Sequence, residues 1–202
     1  MIKIGPSSLG GVKEAEANLE EYHRLGFKTC EIAFTYGVYI KKDEDAIRIG
    51  KKAKELGIKL SIHAPYFVNL NSEDPEKIEA TKKRILDCCE IGEKLGAYTV
   101  VFHPGYYGKD REKAYEKIRE GVQDLMDTIK EKGWNIRISP ETMGKVNVFG
   151  SVEEISQLVR DTGCFFCIDF AHILARDKEV DYEKVKRLFP QKEWHVHFSG
   201  IV

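Results

Sequence analysis

Five short segments of this sequence alternate apolar and polar residues, and each ends on a side chain that can bind a metal ion. IKLSIHAPY delivers His63, TVVFHPG delivers His103, NIRISPE delivers Glu141, FFCID delivers Asp169 and WHVHFSG delivers His197. His172 follows closely, in the string Asp169-Phe-Ala-His172, where a turn could aim both side chains into one cleft. Imidazole nitrogen and carboxylate oxygen are the ligand set of Zn²⁺, and manganese or iron tolerates similar ligands. Four of the six histidines lie at or just past the ends of such segments. That clustering points to a metal centre built from His63, His103, Glu141, Asp169, His172 and His197.

The elements that must position these groups follow from periodicity. Side chains of a strand alternate faces. Ile58, Leu60 and Ile62 therefore oppose Lys59, Ser61 and His63, and the other four segments keep the same phase. Between them lie helical stretches. One runs from about Lys13 to Leu25 and stops at Gly26; one is capped by Asp43 and ends at Leu56-Gly57. Asp74-Pro75 opens a third, and a charged helix spans about 110 to 132. Ser151 with Glu154 forms a capping box for a fifth, and a short helix covers about 181 to 188. Ile2 to Gly5 and Thr29 to Phe34 complete seven expected strands, with Ile2 and Ile4 on an apolar face.

Strands alternating with helices imply a parallel sheet covered by helices. The expected fold is α/β, a (β/α)8 TIM-type barrel with its site at the carboxyl ends of the strands. Seven strands are counted, so residues 1–202 are expected to form a single barrel domain lacking its eighth βα unit, C-terminally incomplete. A doubly wound open sheet is the alternative, but its G-x-G-x-x-G string is missing. Lys3, Glu31, Lys59, Arg137 and His195 fall at inward positions, and are expected to pair with one another beneath the metal site, because unpaired buried charge is costly.

The composition is 42% hydrophobic and 32% charged with a net charge of -1, which suits a soluble protein and announces no basic field. No apolar run has membrane-spanning length and MIKIGPSS carries no signal-peptide pattern, so a cytoplasmic monomer without membrane partners is expected. Cys164 and Cys167 match C-x-x-C, but residues three apart on a strand face opposite sides. All five cysteines read as core thiols of a reducing compartment. His23 reads as a surface residue, and His195, one layer below His197, as a supporting or core residue. Tyr66, Tyr106 and Tyr107 are expected in loops at the mouth of the site, as rim packing or as contacts to a sugar or base.

Taken together, SIHAPYFVNL, VFHPG, PETMGK, CIDFAH and VHFSG resemble, in order and spacing, the endonuclease IV family of apurinic/apyrimidinic endonucleases, barrel enzymes with a three-zinc cluster. The resemblance spans the third to seventh strands. It implies that His63, His103 and Glu141 hold one zinc and that Glu141, as the catalytic carboxylate, bridges to a second held by Asp169 and His197. It places His172 on a third ion and Tyr66 beside DNA. FTYGVYIKK stands where that family carries Lys-Asn-x-Arg, and HFSG where it carries HLND. The family's remaining ligands, an Asp-x-His pair and a glutamate, would lie beyond Val202.

The implied activity is metal-dependent hydrolysis of a phosphodiester at abasic sites in double-stranded DNA, with two or three Zn²⁺, or Mn²⁺ in their place. A divalent-metal sugar isomerase or epimerase could use Glu141, Asp169 and His197 around one ion, although one ion does not need both His63 and His103. A non-catalytic barrel that binds DNA lesions is the third possibility.

Overall fold

The computed structural model describes residues 2–200. Its elements run α1 (Ala15–Arg24), β1 (Thr29–Ala33), α2 (Asp43–Glu55), β2 (Lys59–His63), α3 (Pro75–Leu95), β3 (Thr99–Phe102) and α4 (Arg111–Glu131). They continue with β4 (Arg137–Pro140), α5 (Val152–Thr162), β5 (Cys167–Asp169), α6 (Phe170–Asp177), α7 (Tyr182–Leu188) and β6 (His195–His197). Neighbouring strands follow the order β1-β2-β3-β4, with β5 beside β6. Among the described residues no helix is long and apolar enough to cross a membrane.

Contacts divide the chain into two compact units. The first comprises Met1–Tyr66, Lys83–Val100 and Ile129–Arg137. In it, β1 and β2 pair in parallel, from Thr29 opposite Lys59 to Ala33 opposite His63. The Tyr98 amide donates to the Leu60 carbonyl and the Arg137 amide to the Tyr98 carbonyl, adding the starts of β3 and β4. Cys30, Ile32, Leu60 and Ile62 are buried, and so are Glu31 and Ser61 on the other face. Burial of both faces is what a parallel sheet under helices demands. Helix α2 ends before Gly57, whose φ of 67° lets the chain reverse into β2.

The second unit comprises Phe67–Lys82, Val101–Thr128 and Ile138–Val202. The Glu141 amide donates to the Phe102 carbonyl, and a parallel bridge joins Glu141 to Cys167. Strands β5 and β6 are parallel, with Cys167 opposite His195 and Asp169 opposite His197. Phe149, Ile155, Leu158, Phe166 and Phe189 fill the core, and Phe166 stacks on Phe189 at 4.6 Å. The expected box is present: Glu154 N donates to Ser151 Oγ, and Ser151 N to Glu154 Oε2.

Several expectations are corrected. Ile2 to Gly5 is no assigned strand, and Ile2 and Ile4 are exposed; the segment runs along β1 through bonds from Lys28 N to Ile4 O and from Glu31 N to Pro6 O. Six strands are therefore assigned among the described residues. Asp43 is the first residue of α2 rather than its cap; Lys42 takes the cap position, and the Asp43 carboxylate receives the Lys94 ammonium at 2.8 Å. Of the supposed inward charges, Lys3 and Lys59 are exposed. Lys59 and Arg137 both lie over the Tyr98 ring, while Glu31 accepts from Ser61 Oγ at 3.1 Å. The Asp-Phe-Ala-His stretch is the start of helix α6, not a turn.

Candidate metal centre

In the second unit, strand ends and one helix start bring five of the six expected residues together. Glu141 sits at the end of β4 with only 1% of its side chain exposed. Its Oε2 lies 3.1 Å from His103 Nε2, and its Oε1 lies 2.8 Å from His197 Nδ1. His172 Nδ1 is 3.7 Å from the same Oε1. Asp169 Oδ2 is 3.8 Å from both His172 Nδ1 and His197 Nδ1. Glu141, Asp169 and His197 each present a ligand atom within 4.8 Å of the others.

The backbone explains why these groups meet. Parallel register between β5 and β6 carries Asp169 and His197 to the same level on one face. Asp169 then serves as N-cap of α6: its Oδ1 accepts from His172 N at 2.7 Å. One helical turn therefore fixes His172 next to Asp169. Thr142, directly after Glu141, ties both down. Its Oγ1 accepts from Asp169 N at 2.8 Å, and its carbonyl oxygen lies 2.8 Å from His172 Nδ1. A carbonyl only accepts, so Nδ1 carries the proton and Nε2 the lone pair. That is the tautomer a ligand needs.

Loop anchoring is equally specific. Asn69 Oδ1 accepts from Tyr106 N and Asn71 N, and Asn71 Nδ2 donates to the carbonyls of Tyr106 and Tyr107. These bonds clamp the loop after His103. Gly105, at φ 142°, sits where a Cβ would fall 2.3 Å from Asn69 Oδ1, so a side chain there would break the clamp. Arg176 of α6 donates to the carbonyls of Met143, Lys145 and Val148 and to the Tyr107 hydroxyl. Tyr107 in turn donates to Glu154 at 2.7 Å. It is buried, so the expectation of a rim residue is corrected: it is an internal brace. Tyr106 is half-exposed.

The first unit holds His63, buried at the end of β2. Its Nδ1 lies 2.7 Å from the Ala64 carbonyl, which again fixes the proton on Nδ1 and the lone pair on Nε2. The Tyr66 ring packs edge-on against it at 5.0 Å and is 52% exposed, enough to meet a large ligand. His23 is exposed, with Nδ1 2.9 Å from the Leu56 carbonyl. All five cysteines are buried thiols outside any disulfide, and burial pushes Cys30 and Cys88 up to about 12.

Electrostatics agree with a cation site. Burial raises the Asp169 pKa, against the opposing pull of the His172 amide. An acidic group held in a place that disfavours its charge, among imidazoles, is poised for a dication to neutralise it. Side-chain exposure grows from 1% at Glu141 to 33% at His172, so the group opens toward solvent on the His172 side. The donor set of carboxylate oxygen and imidazole nitrogen fits Zn²⁺ or Mn²⁺. Sequence reading missed Thr142, Arg176 and helix α6. The helix had a signal: Asp169 as a cap, then apolar Phe170, Ile173 and Leu174 at helical spacing.

Comparison with known proteins adds the family. The model of the xylose isomerase-like TIM barrel matches residues 19–201. An uncharacterized protein of Methanocaldococcus jannaschii is 36% identical over 193 residues, covering 88% of this chain and 68% of that protein. A probable endonuclease 4 of Acholeplasma laidlawii is 34% identical, covering 67% of this chain and 50% of its own length. The chain thus spans about half the length of that endonuclease relative. Among solved structures, endonuclease IV from Thermus thermophilus superposes with a TM-score of 0.68 at 25% identity, covering 91% of this chain and 68% of that one. A D-psicose 3-epimerase superposes with a TM-score of 0.72 at 21% identity, covering 90% and 66%. The barrel is therefore the fold, and the doubly wound sheet is set aside.

Proposed function

The chain belongs to the xylose isomerase-like TIM barrel family, and on that premise we propose that it is a metal-dependent phosphodiester hydrolase acting on abasic sites in double-stranded DNA. The relatives named as endonucleases from Acholeplasma laidlawii and Thermus thermophilus support the reaction class. The observation that carries the reading is Glu141, a deeply buried carboxylate with an imidazole on each oxygen. Such a carboxylate can serve two cations at once, which a one-ion enzyme does not require.

In the second unit, Glu141, Asp169 and His197 would hold one zinc, and His103 and His172 would contribute to others; in the first unit, His63 would present its own ligand nitrogen. Manganese would be tolerated. Bound there, dications supply Lewis acidity toward a phosphodiester and water acidic enough to ionise near neutral pH. The chain's own residues orient and select. Thr142 and Ala64 hold the His172 and His63 rings in the ligating tautomer. Tyr66 offers a half-exposed aromatic face, suited to a sugar or base displaced from the stack. An abasic nucleotide is the easiest to extract, because no base pair or stack opposes it.

The test is incubation of the zinc-loaded protein with a duplex holding one abasic site. Scission at that site, abolished by chelation and by Glu141→Gln, is expected. Binding of the duplex without scission would leave a lesion-binding barrel as the better description. A second reading rests on the Glu141, Asp169 and His197 group, which suffices for one ion in a sugar epimerase like the D-psicose enzyme. One manganese per chain with turnover of a ketose would favour it.

A further inference from the structure

We propose that Cys167, His195 and His197 form a second, sulfur-containing metal subsite reaching one strand layer below the Asp169–His197 level, taking a borderline-soft dication of the zinc class. Parallel pairing sets Cys167 opposite His195 and Asp169 opposite His197. Alternation then puts all four side chains on one face, in two layers about 6.6 Å apart along the strands. The upper layer joins Glu141 in the site already described. The lower layer is the Cys167–His195 pair.

Cys167, His195 and, from the layer above, His197 present ligand atoms within 4.8 Å of one another, and the His195 and His197 rings stand 5.2 Å apart. Zinc bonds of about 2.0–2.3 Å in tetrahedral geometry separate ligand atoms by roughly 3.3–3.7 Å. Closure by about 1 Å, within reach of a small rotation of two imidazoles, would complete the set. Chemistry separates this subsite from the one above. The upper ligands are oxygen and nitrogen, whereas Cys167 brings a thiolate, the ligand zinc prefers in structural sites. On binding, the thiol proton leaves to solvent and the sulfur lone pair fills the metal's coordination shell, with no change of oxidation state. Cys167 is 0% exposed and His195 7%, so an ion would enter past His197, whose side chain is 20% exposed. An ion there would lock β5 to β6 directly beneath the carboxylates. The inference rests on strand register; His197 belongs to both groups, so the spectroscopic test is kept apart from strand scission.

Cobalt replaces zinc and reports its ligands. Metal-free full-length protein is titrated with Co²⁺ while the near-ultraviolet spectrum is recorded. Wild type should develop an intense sulfur-to-cobalt charge-transfer band that zinc displaces. Cys167→Ala should lose that band, and His195→Asn should weaken the cobalt affinity behind it at least tenfold. Cys164→Ala, a buried thiol outside the group, should keep it. If Cys167→Ala does not fold, Cys167→Ser reports the loss of the band and His195→Asn the weakened affinity. A saturated wild-type spectrum without the band, or a band that survives Cys167→Ala, overturns the subsite. Strand scission of abasic DNA is a separate readout and decides only the hydrolase reading.

Discussion

Thr142 and His172 are joined by a 2.8 Å contact between the threonine carbonyl and the Nδ1 of the imidazole. That bond, and the 2.8 Å bond from Asp169 N to Thr142 Oγ1, make one residue the organiser of two neighbouring ligand candidates. Thr142→Val keeps the carbonyl and deletes the hydroxyl. Zinc affinity should fall by about 10-fold, the lower end for loss of an outer hydrogen-bond partner. Competition with a chromogenic chelator measures it, and an unchanged far-ultraviolet spectrum confirms the fold.

Glu141→Gln should reduce zinc content and scission together. The amide retains the side chain's shape but presents a nitrogen to one of the two imidazoles. Affinity should drop by more than the ~10–100-fold typical of an outer-shell change. Elemental analysis after dialysis measures the metal, and cleavage of an abasic duplex measures the activity.

Asp169 gives a pH dependence with a definite sign. Burial raises its folded pKa above its unfolded value. The folded state then binds the proton more tightly, so this group costs stability above the folded pKa and the cost disappears as pH falls below the ordinary carboxylate range. Asp169→Asn should therefore raise the melting temperature of metal-free protein at neutral pH, with the gain vanishing in acid. With saturating zinc the order should reverse, because the wild-type carboxylate then has a cation to meet. Melting curves with chelator and with zinc test both halves.

Gly50 lies inside α2, where alanine normally gains about 1 kcal/mol of helix propensity. A Cβ there would fall 2.4 Å from the Leu95 carbonyl oxygen, an immovable backbone atom of α3. Gly50→Ala should thus destabilise, by about 1–3 kcal/mol. Urea unfolding reads the difference, and a stabilised variant would contradict the close approach of the two helices.

Arg176 donates to three carbonyls between Met143 and Val148 and to the Tyr107 hydroxyl. Arg176→Met should cost about 1.5–3 kcal/mol, the scale for hydrogen bonds from a charged group. Hydrogen exchange should accelerate over 143–150 before the rest of the second unit opens.

Much of this geometry was legible in the sequence because strand alternation is a local rule. His103, Glu141, Asp169 and His197 each close an alternating segment, and their meeting needs only parallel strands in a common phase. Ser151 and Glu154 announced their helix for the same reason. Where physics is non-local the reading stopped. Arg176 reaches carbonyls 28 to 33 residues away, and nothing near it in the chain marks those partners. Tyr107 looked like a loop tyrosine because its burial depends on Glu154 and Arg176. Ile2 and Ile4 looked like core because alternation shows which residues share a face, not whether anything covers it.

Strand β5 passes into helix α6 with no connecting residue, Asp169 closing the one and capping the other. A single amino acid inserted after Asp169 would swing the His172 imidazole by about 100° around the helix axis, away from its partners. This junction should therefore tolerate substitution at Phe170 or Ala171 far better than any change in length.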